Sequence, residues 1–214
     1  MSSDQSAKKT AAALRHLRKA DRRLAGVIAR VGPHRLEVTR DPFTALLTSM
    51  IHQQISMRAA ATIRSRVRQL CPRKRMTAKN MMALTDDALR GAGLSRQKVR
   101  YVRDLSEHFL DRRLTAAGLR KMTDEQVVAA ATQVLGIGRW TAEMLLIFCL
   151  ERPDVWPVDD LGLQTAARKL LGKSRPLEKA KLQALGDPWR PYRSYATWYL
   201  WRSLDGPITP GLNP

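Results

Sequence analysis

The sequence predicts an all-α protein. Three observations carry that prediction: apolar residues recur at spacings of three and four along most of the chain, capping residues stand where those stretches begin, and no stretch alternates apolar and polar residues for long enough to make a sustained strand. With 214 residues and 44% hydrophobic content, there is material for one large domain or two small lobes around a real core.

Residues 8 to 30 set Leu14, Leu17, Leu24 and Ile28 as an apolar stripe among Lys8, Lys9, Arg15, Arg18, Lys19, Arg22 and Arg23, an amphipathic helical pattern. A connector over 31–42 follows, in which Leu36-Glu37-Val38-Thr39 is the one candidate for extended structure. Asp41-Pro42 opens a helix to about residue 53, because aspartate caps and proline suits the first turn. After the break Gln53-Gln54-Ile55-Ser56, Ser56 caps a helix whose Ala59, Ala60, Ile63, Val67 and Leu70 share one face, and Cys71-Pro72-Arg73-Lys74-Arg75 ends it. Short helices fill 77–91, and Gly91-Ala92-Gly93-Leu94-Ser95 leads into a longer one over 95–110. Thr123 with Gln126 is a capping box for a helix over 124–134. Helices over 139–150, 160–171, 176–185 and 191–204 complete the chain.

Charge is the outlier: 38 Lys+Arg against 19 Asp+Glu gives a net +19. Fields of that size attract polyanions, nucleic acid above all, although a merely solvated basic surface has the same composition. Two cysteines, Cys71 and Cys149, do not make a four-cysteine zinc or iron–sulfur site, and four scattered histidines have no metal-ligand spacing. The N-terminus lacks an apolar signal core, and the apolar run Met144–Leu150 is too short to span a bilayer. A soluble, cytoplasmic protein without membrane partners is expected, associated with the nucleoid if the source is bacterial.

Val134-Leu135-Gly136-Ile137-Gly138-Arg139-Trp140-Thr141-Ala142 reads as a Gly-x-Gly hairpin opening a helix. Glycines let backbone turn sharply and approach a ligand, and a helix N-terminus presents N–H groups and partial positive charge to a phosphate. A junction whose glycines only permit tight packing has the same look. About one helix later, Pro157-Val158-Asp159-Asp160 places two carboxylates at another helix start, where either would serve as an ordinary cap.

Helix, Leu-x-Gly-Ile-Gly-x-x-Thr-Ala, helix and Val-Asp-Asp loop in this order resemble the helix-hairpin-helix DNA glycosylases that carry a Gly/Pro-rich loop and an aspartate. Ile51-His52-Gln53-Gln54-Ile55-Ser56, Leu89 to Lys98, and Trp189 to Ala196 with Trp201-Arg202 narrow the resemblance to the 3-methyladenine DNA glycosylase II branch, over residues 41 to 204. That implies a single 1–214 glycosylase domain of two helical lobes, 42–150 and 8–41 with 156–204, with the DNA cleft between them. No room remains for the β-rich N-terminal domain of larger bacterial members.

The resemblance also implies roles. Asp160 falls on the catalytic carboxylate and Asp159 is left as the cap. Carboxylate chemistry fits, since breaking an N-glycosidic bond builds cationic charge on the sugar. Gly136, Gly138 and Arg139 would hold a DNA phosphate, with a monovalent cation bound at the backbone of Leu135 and Ile137 and no further cofactor. Trp140 stands where strand-cutting relatives have a Schiff-base lysine, so the enzyme would be monofunctional. Trp140, Trp201 and Met144 would line the pocket for a flipped base, whereas most of Tyr192, Tyr195, Trp198 and Tyr199 would be packing. Gln54 would be the wedge filling the vacated stack. The expected partner is double-stranded DNA with damaged bases, bound by a monomer. A glycosylase for alkylated purines is the leading reading; the alternatives are a glycosylase for another lesion and a non-catalytic DNA-binding module.

Overall fold

The computed structural model describes residues 3–205, with side chains from residue 7 onward. Among them the secondary structure is helical throughout, with no strand, so the extended candidate at Leu36–Thr39 is plain coil. No helix is long and apolar enough to cross a membrane. The chain divides into two compact units: residues 38–151 form one, and residues 1–37 with 152–214 form the other.

The discontinuous unit begins with α1 (Ser3–Ala20) and α2 (Arg22–Val31). The 8–30 stretch is thus broken, because the Asp21 carboxylate accepts the Arg23 and Leu24 N–H groups and caps a new helix. After the central unit, α11 (Leu161–Leu170), α12 (Lys179–Leu185) and α13 (Arg193–Arg202) complete it. Its core joins Leu17, Leu24 and Ile28 to Leu163, Leu182, Trp189 and Tyr199. Trp156 stands edge-on to Trp189, and its indole N–H donates to Leu182 O at 3.0 Å. Gly186 must lack a side chain, since a Cβ would come within 2.7 Å of that indole. Asp154 accepts Arg193 Nε at 2.7 Å and Nη2 at 3.0 Å, a two-pronged pair that fixes the start of α13. As the sequence suggests, Trp198 and Tyr199 are buried packing.

The continuous unit runs α3 (Pro42–His52), α4 (Met57–Leu70), α5 (Ala78–Ala83), α6 (Asp86–Gly91), α7 (Arg96–Leu110), α8 (Ala116–Lys121), α9 (Asp124–Ala131) and α10 (Arg139–Phe148). Helix α8, capped by Thr115, is not foreseen from the sequence: six residues hold too few apolar positions to show a period. Asp41, Ser56, Thr77, Thr85, Ser95, Thr115 and Thr123 each accept a first-turn N–H, and Thr123 with Gln126 forms the full capping box. Each such cap contributes about 1 kcal/mol. At the opposite pole, Arg103 donates to the carbonyls of Met81, Met82 and Leu84 and so closes the end of α5. Helix α3 packs on α4, α7 and α10, burying Leu46, Leu47, Met50 and Ile51 completely or nearly so.

His34, in the discontinuous unit, lies among rings, with centroids 4.8 Å from Tyr195 and 4.6 Å from Trp198. Burial pushes its imidazolium down from 6.5 to about 4. A histidine kept neutral in the fold but free to charge when unfolded makes stability fall as pH drops from 6.5 toward 4, by at most about 1.4 kcal/mol per pH unit. Urea unfolding of wild type and His34→Phe between about pH 7 and pH 5 checks this: the variant is expected to lose less stability across the interval. Parallel losses would show that other groups govern the slope.

Candidate active site

The aspartate loop lies in the discontinuous unit. Pro157 O accepts the Asp160 N–H at 2.9 Å, closing a tight turn that delivers Asp160 to the start of α11. Its Oδ1 accepts the Leu163 N–H at 2.5 Å and the Trp201 indole N–H at 2.7 Å. Asp160 is therefore itself the cap of α11, the role expected of Asp159. Asp159 is exposed and pairs with Lys179 at 2.6 Å. A capping carboxylate must approach the first turn from the residue before it, and only Asp160 has that register. Gly162 completes the arrangement: a Cβ there would meet Asp160 Oδ1 and Trp201 Cδ1, each at 3.1 Å.

Trp201 is half-buried, and its position differs from the sequence expectation in one respect: its polar edge is committed to the carboxylate. The indole N–H is a strong donor on the same oxygen as a helix N–H, so it orients Asp160. Nothing in the spacing signals this pair, separated by 41 residues.

The hairpin belongs to the continuous unit. Ile137 N–H donates to Val134 O at 3.1 Å, and Leu135 N–H to Asp104 Oδ2 at 2.7 Å, fixing the turn between α9 and α10. Gly136 has φ +81, and a Cβ there would run into the Tyr101 ring. That glycine is required for steric reasons. Gly138 is not: its φ is −93, and a Cβ would meet nothing within 4 Å. It caps α10 without a side-chain hydrogen bond, and the first turn of that helix holds no acidic residue. The packing explanation thus holds for Gly136, whereas the missing side chain of Gly138 opens the α10 N-terminus to the outside. No hydrogen bond among the described residues reaches the carbonyls of Leu135 or Ile137.

Arg139, expected at a phosphate, pairs here with carboxylates of the fold. Its guanidinium holds Glu125 through two hydrogen bonds, Nη2 to Oε1 at 2.5 Å and Nη1 to Oε2 at 3.2 Å, and Nε lies 3.3 Å from Glu143. An arginine between two carboxylates has its charge spent within the fold, here bracing α9 against α10. Trp140 is 42% exposed on the first turn of α10, whereas Met144 is buried.

Gln54 occupies the α3–α4 turn with φ +59, an uncommon conformation for a non-glycine residue. It is exposed, and so are Ile55 and Met57 just after it. The turn is held from behind by two residues that sequence reasoning passed over. Lys98 Nζ donates to Ile51 O at 2.6 Å and Gln53 O at 2.7 Å, while Gln53 Nε2 donates to Gly136 O at 2.9 Å. The α3–α4 turn and the hairpin are one hydrogen-bonded assembly. Among the described residues no group of three or more His, Cys, Asp or Glu side chains is arranged to hold a metal ion.

A profile of the HhH-GPD superfamily of base excision DNA repair proteins matches residues 47–191. The chain belongs to that superfamily. Its relatives include a Schizosaccharomyces pombe DNA-3-methyladenine glycosylase, 28% identical over 85% of this chain and 81% of its own length. Among solved structures, the S. pombe 3-methyladenine glycosylase in complex with abasic DNA superposes with a TM-score of 0.83, at 28% identity, covering 92% of this chain and 98% of the other. A DNA-3-methyladenine glycosidase from Bacillus halodurans gives 0.81 at 35% identity, covering 89% and 88%. In this HhH-GPD chain the hairpin and the aspartate loop are the two parts the superfamily's name advertises.

The two hairpin glycines are expected to respond differently to alanine. Gly136→Ala forces a left-handed backbone and a clash with Tyr101, which should cost at least about 2 kcal/mol, a melting point lower by roughly 4–8 °C. Gly138→Ala should stay within about 1 kcal/mol of wild type. Thermal melts of both variants decide; equal losses would refute the assignment.

Proposed function

We propose that this HhH-GPD protein is a monofunctional DNA glycosylase, hydrolysing the N-glycosidic bond of alkylated purines of the 3-methyladenine and 7-methylguanine type and so initiating base excision repair. The observation that carries the chemistry is Asp160, held by two donors on one oxygen at the start of α11. As the purine leaves, the sugar gains oxocarbenium character, and a fixed carboxylate stabilises that charge without reorganising at the moment of reaction. The same anion orients or activates the attacking water. The named relatives are glycosylases, which disfavours the non-catalytic reading. The identity of the relatives favours alkylated purines over other lesions.

Double-stranded DNA is the partner. The uncapped N-terminus of α10 at Gly138 suits one phosphate, and Leu135 and Ile137 offer two backbone carbonyls that fit a monovalent cation beside it. Such a cation would add positive charge at the phosphate. Gln54, presented on a turn braced by Lys98 and Gln53, fills the stack as the base is extruded. The face of Trp201, in the same unit as Asp160, supplies aromatic surface for a cationic base; in the other unit Trp140 is a second exposed ring and Met144 is buried. We infer further that the protein acts as a monomer in the cytoplasm, on the nucleoid in a bacterial host.

Asp160→Asn should lower single-turnover base release at least about 100-fold while duplex binding persists. Trp201→Phe keeps an aromatic face but removes the donor, so it should slow release from cationic 3-methyladenine and neutral hypoxanthine alike. Trp201→Ala should add a further loss confined to the cationic lesion. An Asp160→Asn enzyme as active as wild type would end the carboxylate mechanism, and selective loss in Trp201→Phe would return Trp201 to the pocket alone.

Trp140 cannot form a Schiff base with the sugar. Borohydride added during turnover should therefore trap no enzyme–DNA adduct, and the product strand should stay intact until treated with alkali. A trapped adduct would sink the monofunctional assignment.

A further inference from the structure

Between Asp41 and Asp86 the sequence contains no acidic residue, yet it carries Arg58, Arg64, Arg66, Arg68, Arg73, Lys74, Arg75 and Lys79. All eight are exposed. Elsewhere acidic residues are interspersed with the cations, and Arg23, Arg90, Arg103, Arg113, Arg139, Arg190, Arg193 and Arg202 are among those that lie within 4 Å of a carboxylate. None of these eight has such a partner among the described residues.

Their setting is unusual as well. Helix α4 buries only Ala60 and Val67, so most of its circumference faces outward. Four arginines on α4 lead directly to the turn 72–74, where Arg73 and Lys74 adopt φ +52 and +54. Two successive non-glycine residues in the left-handed region cost of order 1 kcal/mol each. Their side chains are exposed, so apolar burial does not offset that cost. The field of this strip is felt inside the unit: after burial, Arg64 is the next cause holding the His52 imidazolium below its usual value. Fourteen helical residues span about 21 Å, and along them Arg64 and Arg68 stand one turn apart on one face, with Arg58 nearer to it than Arg66, which lies on the other side of the helix.

We propose that α4 and the Arg73-Lys74-Arg75 turn form a second DNA-binding strip, which takes the phosphate backbone of the duplex flanking the damaged site. The strip starts at Arg58, four residues after Gln54, so duplex engaged at that turn continues toward it. This rests on the reading of Gln54 as the wedge and of the partner as DNA. Each phosphate neutralised releases condensed counterions, so the strip adds affinity and salt dependence without sequence preference or chemistry of its own.

Two variants test it: Arg64→Gln/Arg68→Gln on one face of the helix and Arg73→Gln/Lys74→Gln/Arg75→Gln on the turn. All five side chains are exposed, so melting points should stay near wild type. Equilibrium binding is measured over a salt series on a lesion duplex of about 30 base pairs and on a short one that ends about three base pairs from the lesion on the side facing the strip, with single-turnover base release at saturating protein. Each variant should flatten the log–log salt slope on the long duplex by about two to three units, at about 0.9 per phosphate lost. Affinity for the long duplex should fall at least tenfold near physiological salt, with less than a twofold change on the short one and an unchanged rate of base release. Equal losses on both lengths would overturn the flanking-duplex assignment, and unchanged slopes would show the strip to be a solvated face. Absence of base release in wild type would instead overturn the proposed activity, and the binding comparison would still decide the strip.

Discussion

The whole aspartate loop depends on one oxygen. Asp160 Oδ1 receives a helix N–H and an indole N–H, and Gly162 has to be bare for the three groups to meet. Because the cap fixes the carboxylate relative to the axis of α11, the orientation of the reactive group is set by a secondary-structure element. The rest of the discontinuous unit secures that helix: Leu163, Ala166 and Ala167 bury its inner face against the core that also holds α13, the helix that carries Trp201. Packing, cap and candidate catalysis thus meet in one side chain.

A comparable economy holds in the other unit. Tyr101 occupies the space a Gly136 Cβ would need, and Gln53 takes the carbonyl of that same residue. The turn bearing Gln54 is thereby tied to the turn that opens α10, and Lys98 of α7 holds the carbonyls of Ile51 and Gln53. Partial burial lowers the Lys98 ammonium pKa from its usual value. Two loops that look independent in the chain are a single rigid structure.

Much of this was legible in the sequence, and what was not has a physical reason. Asp41, Ser56, Thr123 and the hairpin glycines announce themselves because capping and tight turns are local, written within four residues. The break at Asp21 is hidden because the apolar stripe continues across it; a capping aspartate inside an unbroken period looks like one more polar surface residue. The resemblance located Asp160 but assigned the cap to Asp159, since adjacent carboxylates cannot be told apart by pattern. Arg139 was read by its position beside the hairpin, whereas its behaviour is decided by Glu125, fourteen residues earlier and on another helix. Gln53–Gly136 and Trp201–Asp160 were invisible for the same reason: they join residues distant in sequence, and a single sequence carries no record of such pairs.

The division of the chain at residues 37 and 152 has a consequence for biosynthesis. Residues 38–151 are contiguous, so once they have left the ribosome every segment of that unit is present. The other unit is split: α1 and α2 emerge first with Leu17, Leu24 and Ile28 uncovered, and their packing partners Trp189 and Tyr199 come more than 150 residues later. Closing so long a loop costs more chain entropy than any local step, though the cost grows only logarithmically with length. At typical synthesis rates the first helices wait for roughly ten seconds or more with an apolar face exposed. Their dense lysine and arginine content keeps that waiting segment solvated and mutually repelling, so the same charge that suits a polyanion also guards the nascent chain against premature association.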